Sequence, residues 1–242
     1  MNEQLRVLDL FSGIGGFSLG LERAGMRTVA FCEIEPFCRA VLRKHWPDVP
    51  IFEDVRTLTA ADVPGVDVIC GGFPCQDISV AGKGAGLEGE RSGLWREYKR
   101  IIGEVRPLFV IVENVAALLG RGIGIILGDL AALGYDCQWH CIPASSVGLP
   151  HLRDRAWIIA HDREKRGERF QQETLSALRR IPWRENERRA ALWLDRPDIY
   201  TPRLCDSGNG ISDELGALGN AVVPQIPEII GRAIIEAERI AA

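Results

Sequence analysis

The feature that most constrains this chain is an apolar run, Val66-Asp67-Val68-Ile69-Cys70, that empties into Gly71-Gly72-Phe73-Pro74-Cys75-Gln76. A short apolar run bounded by glycine reads as a buried strand. One that ends in two glycines and a proline presents the next residue at the carboxyl edge of a sheet, where open α/β folds place their ligands. Pro74 fixes its own φ and pushes Phe73 toward an extended conformation, while Gly71 and Gly72 carry no Cβ to hold a planar ligand off the backbone. Such a loop holds one side chain still, and here it is the thiol of Cys75, which we read as a nucleophile. An ordinary thiol is only about a tenth thiolate at slightly alkaline pH, so this reading calls for a cation or a helix terminus nearby. The plain alternative is one more small buried hydrophobe, the usual fate of a free cysteine.

The same strand-then-turn pattern recurs along the chain. Leu5 to Phe11 reads as a strand, followed by Ser12-Gly13-Ile14-Gly15-Gly16 and a helix to about Arg23. Strand, glycine turn and helix together bring backbone amides and a helix N-terminus to a nucleoside-bearing ligand. The third glycine of a dinucleotide fingerprint would fall at Ser18, so a pyrophosphate cradle is poorly matched and a nucleoside without phosphates is favoured. The next strand, Thr28 to Cys32, ends in Glu33, where a carboxylate can take both hydroxyls of a ribose; alternatively, Glu33 is a surface acid ahead of a helix at Pro36. Asp54, after Ile51-Phe52, is placed to accept from an exocyclic amine such as that of adenine, although an Asp before Val55 is ordinarily a cap or turn residue.

Pro107 ends a helix that starts near Gly93, and Leu108 to Val112 is a fourth buried strand leading into Glu113-Asn114. A carboxylate that leaves an apolar strand at the same edge as Cys75 should have its pKa raised by desolvation, so that it donates as well as accepts. The competing reading makes Asn114 a helix cap helped by Glu113. A helix over about Gly124 to Leu133 precedes strands at Tyr135 to Ile142 and Ala156 to His161. Between those strands, Arg153 and Arg155 alternate along an extended segment, project to one side, and supply the positive charge that Cys75 needs; otherwise they form a surface turn screened by Asp154. Strands alternating with helices place the chain in the α/β class, and the glycine-rich stretch from Gln76 to Gly93 has the length of a lid.

With 46% hydrophobic content over 242 residues, the chain can bury a full core. Met1 to Arg6 lack a signal-peptide layout and no apolar run approaches membrane-spanning length, which points to a cytoplasmic protein with no membrane partner. The seven cysteines make an odd count, which argues against a disulfide framework, and Cys137 and Cys141 around His140 lack the paired hooks of a zinc site, so no metal is expected. Net charge is −4, yet between Arg163 and Arg203 eleven Lys or Arg face seven Asp or Glu. Arg-Arg pairs at 179/180 and 188/189 interleave there with Trp183 and Trp193, a composition that suits a nucleic-acid surface or, equally, the core of a small subdomain.

Five stretches together carry a resemblance. Asp9-Leu10-Phe11-Ser12-Gly13-Ile14-Gly15-Gly16, Gly72-Phe73-Pro74-Cys75-Gln76, Glu113-Asn114-Val115, Arg153-Asp154-Arg155 and Gly219-Asn220-Ala221-Val222-Val223-Pro224 resemble, in order and spacing, the motifs of the cytosine-C5 DNA methyltransferases. The chain would be a short bacterial or phage-like member. The resemblance implies an S-adenosylmethionine-dependent methyltransferase (Rossmann-like) sheet with helices on both faces and a small appended target-recognition region. It divides the chain into a catalytic and cofactor-binding domain over 1–161, a reduced recognition region over 162–202, and a segment over 203–242 that returns to the catalytic domain.

By the same resemblance the cofactor is S-adenosyl-L-methionine. Phe11, Ser12, Gly13, Gly15 and Gly16 line its pocket, Glu33 takes the ribose, Ile34 packs on adenine, Asp54 meets the adenine amine and Asn220 completes the pocket. Cys75 adds to C6 of a flipped-out cytosine, Glu113 bonds at N3 and the amino group, and Arg153 and Arg155 hold the catalytic loop, the base or nearby phosphates. The family's Gln-x-Arg-x-Arg pattern has His151 in its first position here. The implied partner is double-stranded DNA, the implied state a monomer, and the implied setting restriction-modification. Three alternatives stand beside this reading: an RNA cytosine-C5 methyltransferase, a nucleotide-dependent oxidoreductase and an inactive DNA-binding module.

Overall fold

Runs that are apolar at every position, rather than at alternate ones, require a sheet covered on both faces. The computed structural model is built that way, and it describes residues 4–74, 93–149, 153–165 and 219–241. In order, the chain forms β1 (Arg6–Leu10), α1 (Gly16–Arg23), β2 (Arg27–Cys32), α2 (Pro36–His45), β3 (Ile51–Phe52), β4 (Val68–Gly71) and α3 (Leu94–Val105). It continues through β5 (Phe109–Val115), α4 (Leu118–Arg121), α5 (Ile123–Ala132), β6 (Tyr135–Pro143), β7 (Asp154–Asp162) and α6 (Gln225–Ala241). Cys75, Gln76, the glycine-rich stretch to Ser92, His151 and residues 166–218 lie outside the described residues.

The strands form one sheet in the order β3-β2-β1-β4-β5-β7-β6. β3, β2, β1, β4 and β5 run parallel, and β7 lies antiparallel between β5 and β6. The order reverses between β1 and β4, so a crevice opens outside their carboxyl ends, the position at which doubly wound sheets bind ligands. Neighbouring residues of each strand go to opposite cores. Leu8, Leu10, Ile69, Val110 and Ile158 pack with Tyr98, Ile101 and Ile102 of α3 and with Ile126 and Leu130 of α5. Val7, Val68, Ile111 and Trp157 pack with Phe17 and Leu21 of α1 and with Ile226, Ile230 and Ile234 of α6. At about 1.5–3 kcal/mol for each fully buried large apolar side chain, these two layers dominate the stability of the sheet.

One detail of α1 ties the end of the chain to its beginning, and another ties α1 to β1. A Cβ on Gly16 would run into the carbonyl of Val222, so this glycine lets the segment ahead of α6 lie directly on α1. The helix also opens at Gly15, which has no side chain to cap it. Asp9 of β1 does that work instead: its Oδ2 accepts from the Ser18 hydroxyl at 2.7 Å and from the Ser18 backbone N–H at 3.3 Å. Ser18 therefore stands where a dinucleotide fingerprint would have glycine because it joins helix to strand.

The observed strands outrun the expected ones at one place that matters. β7 begins at Asp154 rather than Ala156, because Val115 of β5 pairs with Arg155. Arg155 thus belongs to the sheet and not to a connecting loop. The four-residue α4 has no counterpart in the sequence-based reading. Among the described residues, no helix is long and apolar enough to cross a membrane, and no group of three or more His, Cys, Asp or Glu is arranged to hold a metal ion.

Complete burial raises the Asp9 carboxyl from 3.8 to about 7, against the opposing bonds from Ser18. Because the folded pKa is the higher one, the unfolded chain ionises first as pH rises. Asp9 therefore favours the fold below about pH 4, and that contribution is lost on going to about pH 7, by at most about 4 kcal/mol at ~1.4 kcal/mol per unit. Urea melts of the parent and of Asp9→Asn between pH 4.5 and 8 should show the variant losing less stability over that window; parallel curves would contradict the assignment.

Candidate active site

The carboxyl edge of β4 and β5 brings together an acid, two arginines and a loop. Glu113 lies near the end of β5, 9% exposed, and its Oε1 is 2.9 Å from Nε of Arg155 on β7. Because β7 runs antiparallel to β5, its first residues lie at the carboxyl edge, so the arginines reach the acid. Arg153 stands just ahead of β7, and its guanidinium donates to the carbonyl of Gly219. Burial raises the Glu113 pKa, and the positive charges of Arg155 and then Arg153 oppose that rise without cancelling it. Arg153 in turn is lowered from the usual arginine value, by burial first and by the like charge of Arg155 second. Arg155 thus pairs with the carboxyl group directly, while Arg153 acts on it only through its charge.

The loop after β4 is fitted to the same acid. A Cβ on Gly72 would sit 2.7 Å from Oε2 of Glu113, and one on Gly71 would collide with the carbonyl of Leu10. The two glycines thus make room for protein neighbours, which is a correction to the sequence-based idea that they clear space for a planar ligand. Asn114 donates from Nδ2 to the carbonyl of Phe73 at 3.0 Å, and its Oδ1 accepts from the N–H of Val115. It is a tether across the edge, not the helix cap of the competing reading. Phe73 and Pro74 are described; Cys75, the next residue, is not. The described cysteines are poor nucleophiles, since burial pushes Cys32 and Cys137 to about 12, Cys38 to about 11, Cys70 well above the ordinary thiol value and Cys141 above it.

A second cluster forms at the carboxyl ends of β1 and β2. Glu33, 7% exposed, accepts from the N–H of Gly13 at 2.6 Å through Oε2 and from the N–H of Glu35 at 2.8 Å through Oε1. Each oxygen keeps a lone pair, so the carboxylate is held in one orientation with capacity to accept more. Gly13 sits at φ +54° with nothing near its missing Cβ, whereas the space beside Gly15 is filled by the Trp46 ring. Ser12 fixes the turn through its hydroxyl, which donates to the Asp9 carbonyl at 2.6 Å. Ile34 is 58% exposed, an apolar side chain standing free beside Glu33. Phe11 holds a left-handed φ of +53°, rare for a phenylalanine.

Asp54 follows β3. Its carboxylate is engaged by its own turn: Arg56 donates from Nη2 at 2.6 Å and from the backbone N–H at 3.0 Å, and these bonds lower the Asp54 pKa. Asn220 is exposed, one residue past the Gly219 carbonyl that Arg153 holds. Arg39 is a residue that the sequence reading missed. From α2 its Nη1 donates to the carbonyls of Ile34 and Glu33 at 2.5 and 3.2 Å, and its Nη2 reaches Glu53 at 3.2 Å. It clamps the Glu33-Ile34 corner, and no local pattern in the sequence marks it.

A mixed seven-stranded sheet with a reversed β7, a glycine turn after β1 and an acid closing β2 defines the class: a Rossmann-like, S-adenosylmethionine-dependent methyltransferase fold. Residues 5–191 match the family model of the C-5 cytosine-specific DNA methylases, and the chain belongs to that family. It is similar to the type II methyltransferase M2.BsuMI of Bacillus subtilis, 37% identical over 64% of this chain and 42% of that protein. It is also similar to M.NgoBI of Neisseria gonorrhoeae, 35% identical over 64% of this chain and 50% of that protein. The chain thus spans about half the length of the curated relatives it matches. Among solved structures, a prophage-encoded E. coli protein assigned as a DNA modification methyltransferase aligns with TM-score 0.57 and 29% identity, over 67% of this chain and 48% of that one. The Dnmt2 methyltransferase of S. pombe, at 22% identity, shares the fold with TM-score 0.57 over 69% of this chain and 52% of its own.

Since Arg155 is the nearest charge holding Glu113 down, Arg155→Gln should raise the Glu113 pKa further. Carbon-detected NMR titration of glutamate-labelled protein checks this, with the shifted resonance assigned through Glu113→Gln. An unchanged or lowered value would contradict the pairing.

Proposed function

We propose that this chain is a DNA (cytosine-5-)-methyltransferase that modifies C5 of a cytosine drawn out of double-stranded DNA. The observation that carries the reading is the Glu113 carboxyl, held protonatable by burial, oriented by Arg155 and packed against the loop that leads into Cys75. Such a group donates to N3 of a cytosine and accepts from its amino group, in a pocket that no base reaches while stacked in a duplex.

Position C5 of cytosine is a poor nucleophile. The Cys75 thiolate adds to C6, and the electron pair of the 5,6 bond moves toward N3, where the Glu113 proton stabilises the charge. Arg155 holds Glu113 in register, and Arg153 holds the Gly219 segment against the same edge. S-adenosyl-L-methionine, when bound, would supply an electrophilic methyl group, with the neutral thioether as its leaving group. C5 takes that methyl, a base removes the C5 proton, and the sulfur of Cys75 departs as thiolate, which restores the aromatic ring.

The cofactor fits the cluster at β1 and β2. Glu33 has acceptor capacity left for ribose hydroxyls, Gly13 and Ile34 are open, and Phe11, Ser12, Gly15 and Gly16 build the wall behind them. Asp54 would reach the adenine amine on exchanging part of its Arg56 pairing, and Asn220 would close the pocket from the returning segment. Type II methyltransferases among the relatives support a modification role in a restriction-modification setting. The count of basic residues between 163 and 203 supports a DNA surface there.

The direct test traps the protein on duplex oligonucleotides carrying 5-fluorocytosine, whose fluorine blocks the last elimination. A cofactor-dependent covalent adduct is expected on DNA, lost in Cys75→Ala, with turnover on ordinary cytosine reduced about 10²–10³-fold in Glu113→Gln. An adduct that survives Cys75→Ala removes the nucleophile from its role, and methyl transfer to RNA alone moves the substrate to the other polymer.

A further inference from the structure

Four aromatic rings form a continuous row across the edge of the sheet, and no step proposed above uses the two in the middle. Phe11, on the turn after β1, stacks on Tyr98 with centroids 6.1 Å apart and planes 9° from parallel. Tyr98 stacks on Trp95 at 5.6 Å and 19°, and Trp95 meets Phe73 at 5.6 Å and 44°. Tyr98 and Trp95 are three apart on α3 and so share one helix face, and both are buried.

The two inner rings are pinned by hydrogen bonds. The Trp95 indole N–H donates to Oδ2 of Asp129 on α5 at 2.8 Å, and Lys99 holds the other oxygen of that carboxylate at 2.6 Å. The Tyr98 hydroxyl donates to the carbonyl of Ile111 at 3.2 Å. The outer rings belong to the two turns that leave adjacent parallel strands at the crevice. Phe11 sits in a left-handed conformation that persists only where surrounding structure holds it. Phe73 has its carbonyl fixed by Asn114 and precedes Pro74 and Cys75 in the chain. A buried indole ordinarily finds a partner for its N–H; what marks this pair is its place, since Tyr98 and Trp95 bridge from a ring on one turn to a ring on the other.

We propose that Trp95 is a positioning residue for methyl transfer: with Tyr98 it forms a rigid two-ring spacer that sets the separation between the cofactor corner at Phe11 and the Phe73-Pro74 turn. This rests on the methyltransferase reading above. Attack and methyl delivery have to be aligned on one base, and a displacement of about 1 Å costs on the order of 10²-fold in rate, so a spacer between the two turns acts on the rate of the step and not on cofactor affinity.

The test compares Trp95→Phe and Asp129→Asn with Leu130→Ala, a control in the buried core of α5 that lies outside the stack. Active sites are counted as the fraction trapped on 5-fluorocytosine duplex. The single-turnover rate per trapped site is measured on a duplex carrying the site mapped by bisulfite sequencing. Cofactor affinity is measured by calorimetry. Trp95→Phe should slow transfer per site about 10–100-fold, and Asp129→Asn by a smaller factor, with cofactor Kd within about threefold; Leu130→Ala should lower Tm yet keep the per-site rate. A per-site rate unchanged in Trp95→Phe, or slowed equally in Leu130→Ala, overturns the proposal. Should Trp95→Phe not fold, an unchanged rate in Asp129→Asn overturns it.

Amide hydrogen exchange supplies a readout that does not need activity. The peptide spanning residues 70–74 should exchange at least about tenfold faster in Trp95→Phe and stay as in the parent in Leu130→Ala. Equal protection in both variants also overturns the role of Trp95. If the parent protein forms no adduct and methylates neither DNA nor RNA, it is the methyltransferase reading that fails.

Discussion

A carboxylate taken out of water at the rim of a sheet is destabilising by several kcal/mol unless a cation or donors meet it. Glu113 is in that situation, and the guanidinium of Arg155 at 2.9 Å is what makes the position tenable. The requirement reaches well beyond the pair. Arg155 stands at this rim only because β7 runs against its neighbours and starts where they end. A β7 parallel to β5 would have carried the same two arginines to the opposite side of the molecule. Gly72 lacks a Cβ because the acid occupies that space. Burial still outweighs the two cations, so the group stays able to take up a proton, and an acid that both donates and accepts is what a cytosine edge asks for.

The second cluster follows from the neighbouring pair of strands. β1 and β2 end beside each other, so the turn after β1 lies within reach of Glu33, and the Gly13 N–H locks the carboxylate of that acid. Arg39 fixes the corner from behind through two carbonyls. The closing helix α6 contributes from far along the chain: its approach to α1 lays Val222 on Gly16, and Arg153 binds Gly219. The Gly13–Glu33 corner and the acid rim are thereby joined both through the sheet and through the returning segment. The result is a crevice whose two sides are set by separate strands but share one frame.

The strands were readable from sequence because a sheet covered on both faces needs largely apolar runs, and Leu5 to Phe11, Val66 to Cys70 and Leu108 to Val112 supply them. The raised pKa of Glu113 was readable for the same reason, as an acid ending such a run has too little water around it to stay ionised freely. What escaped were contacts between residues far apart in the chain. Asn114 looked like a cap because capping is a local pattern, yet its amide reaches Phe73, 41 positions away. Arg155 looked like a loop residue because its pairing with Val115 lies in another strand. Asp54 went the other way: the local turn with Arg56 was the simpler reading and is the one seen. Arg39 had no signature, since its partners are backbone carbonyls. Cys75 and most of the expected recognition region, 166–202, fall outside the described residues.

Family membership and the arranged acid and arginines support the proposed chemistry in a chain that matches 42% of M2.BsuMI and 50% of M.NgoBI. The central claim is that the Glu113 carboxyl, still paired with Arg155, is the group that meets the pyrimidine. A crystal structure of the full chain with S-adenosylhomocysteine and a 5-fluorocytosine duplex tests it most directly. The account predicts density continuous from the sulfur of Cys75 to C6 of an extruded base, with a Glu113 oxygen within hydrogen-bonding distance of N3 and the Arg155 contact intact. A trapped base whose N3 faces any other side chain, with Glu113 turned toward the protein interior, would contradict it.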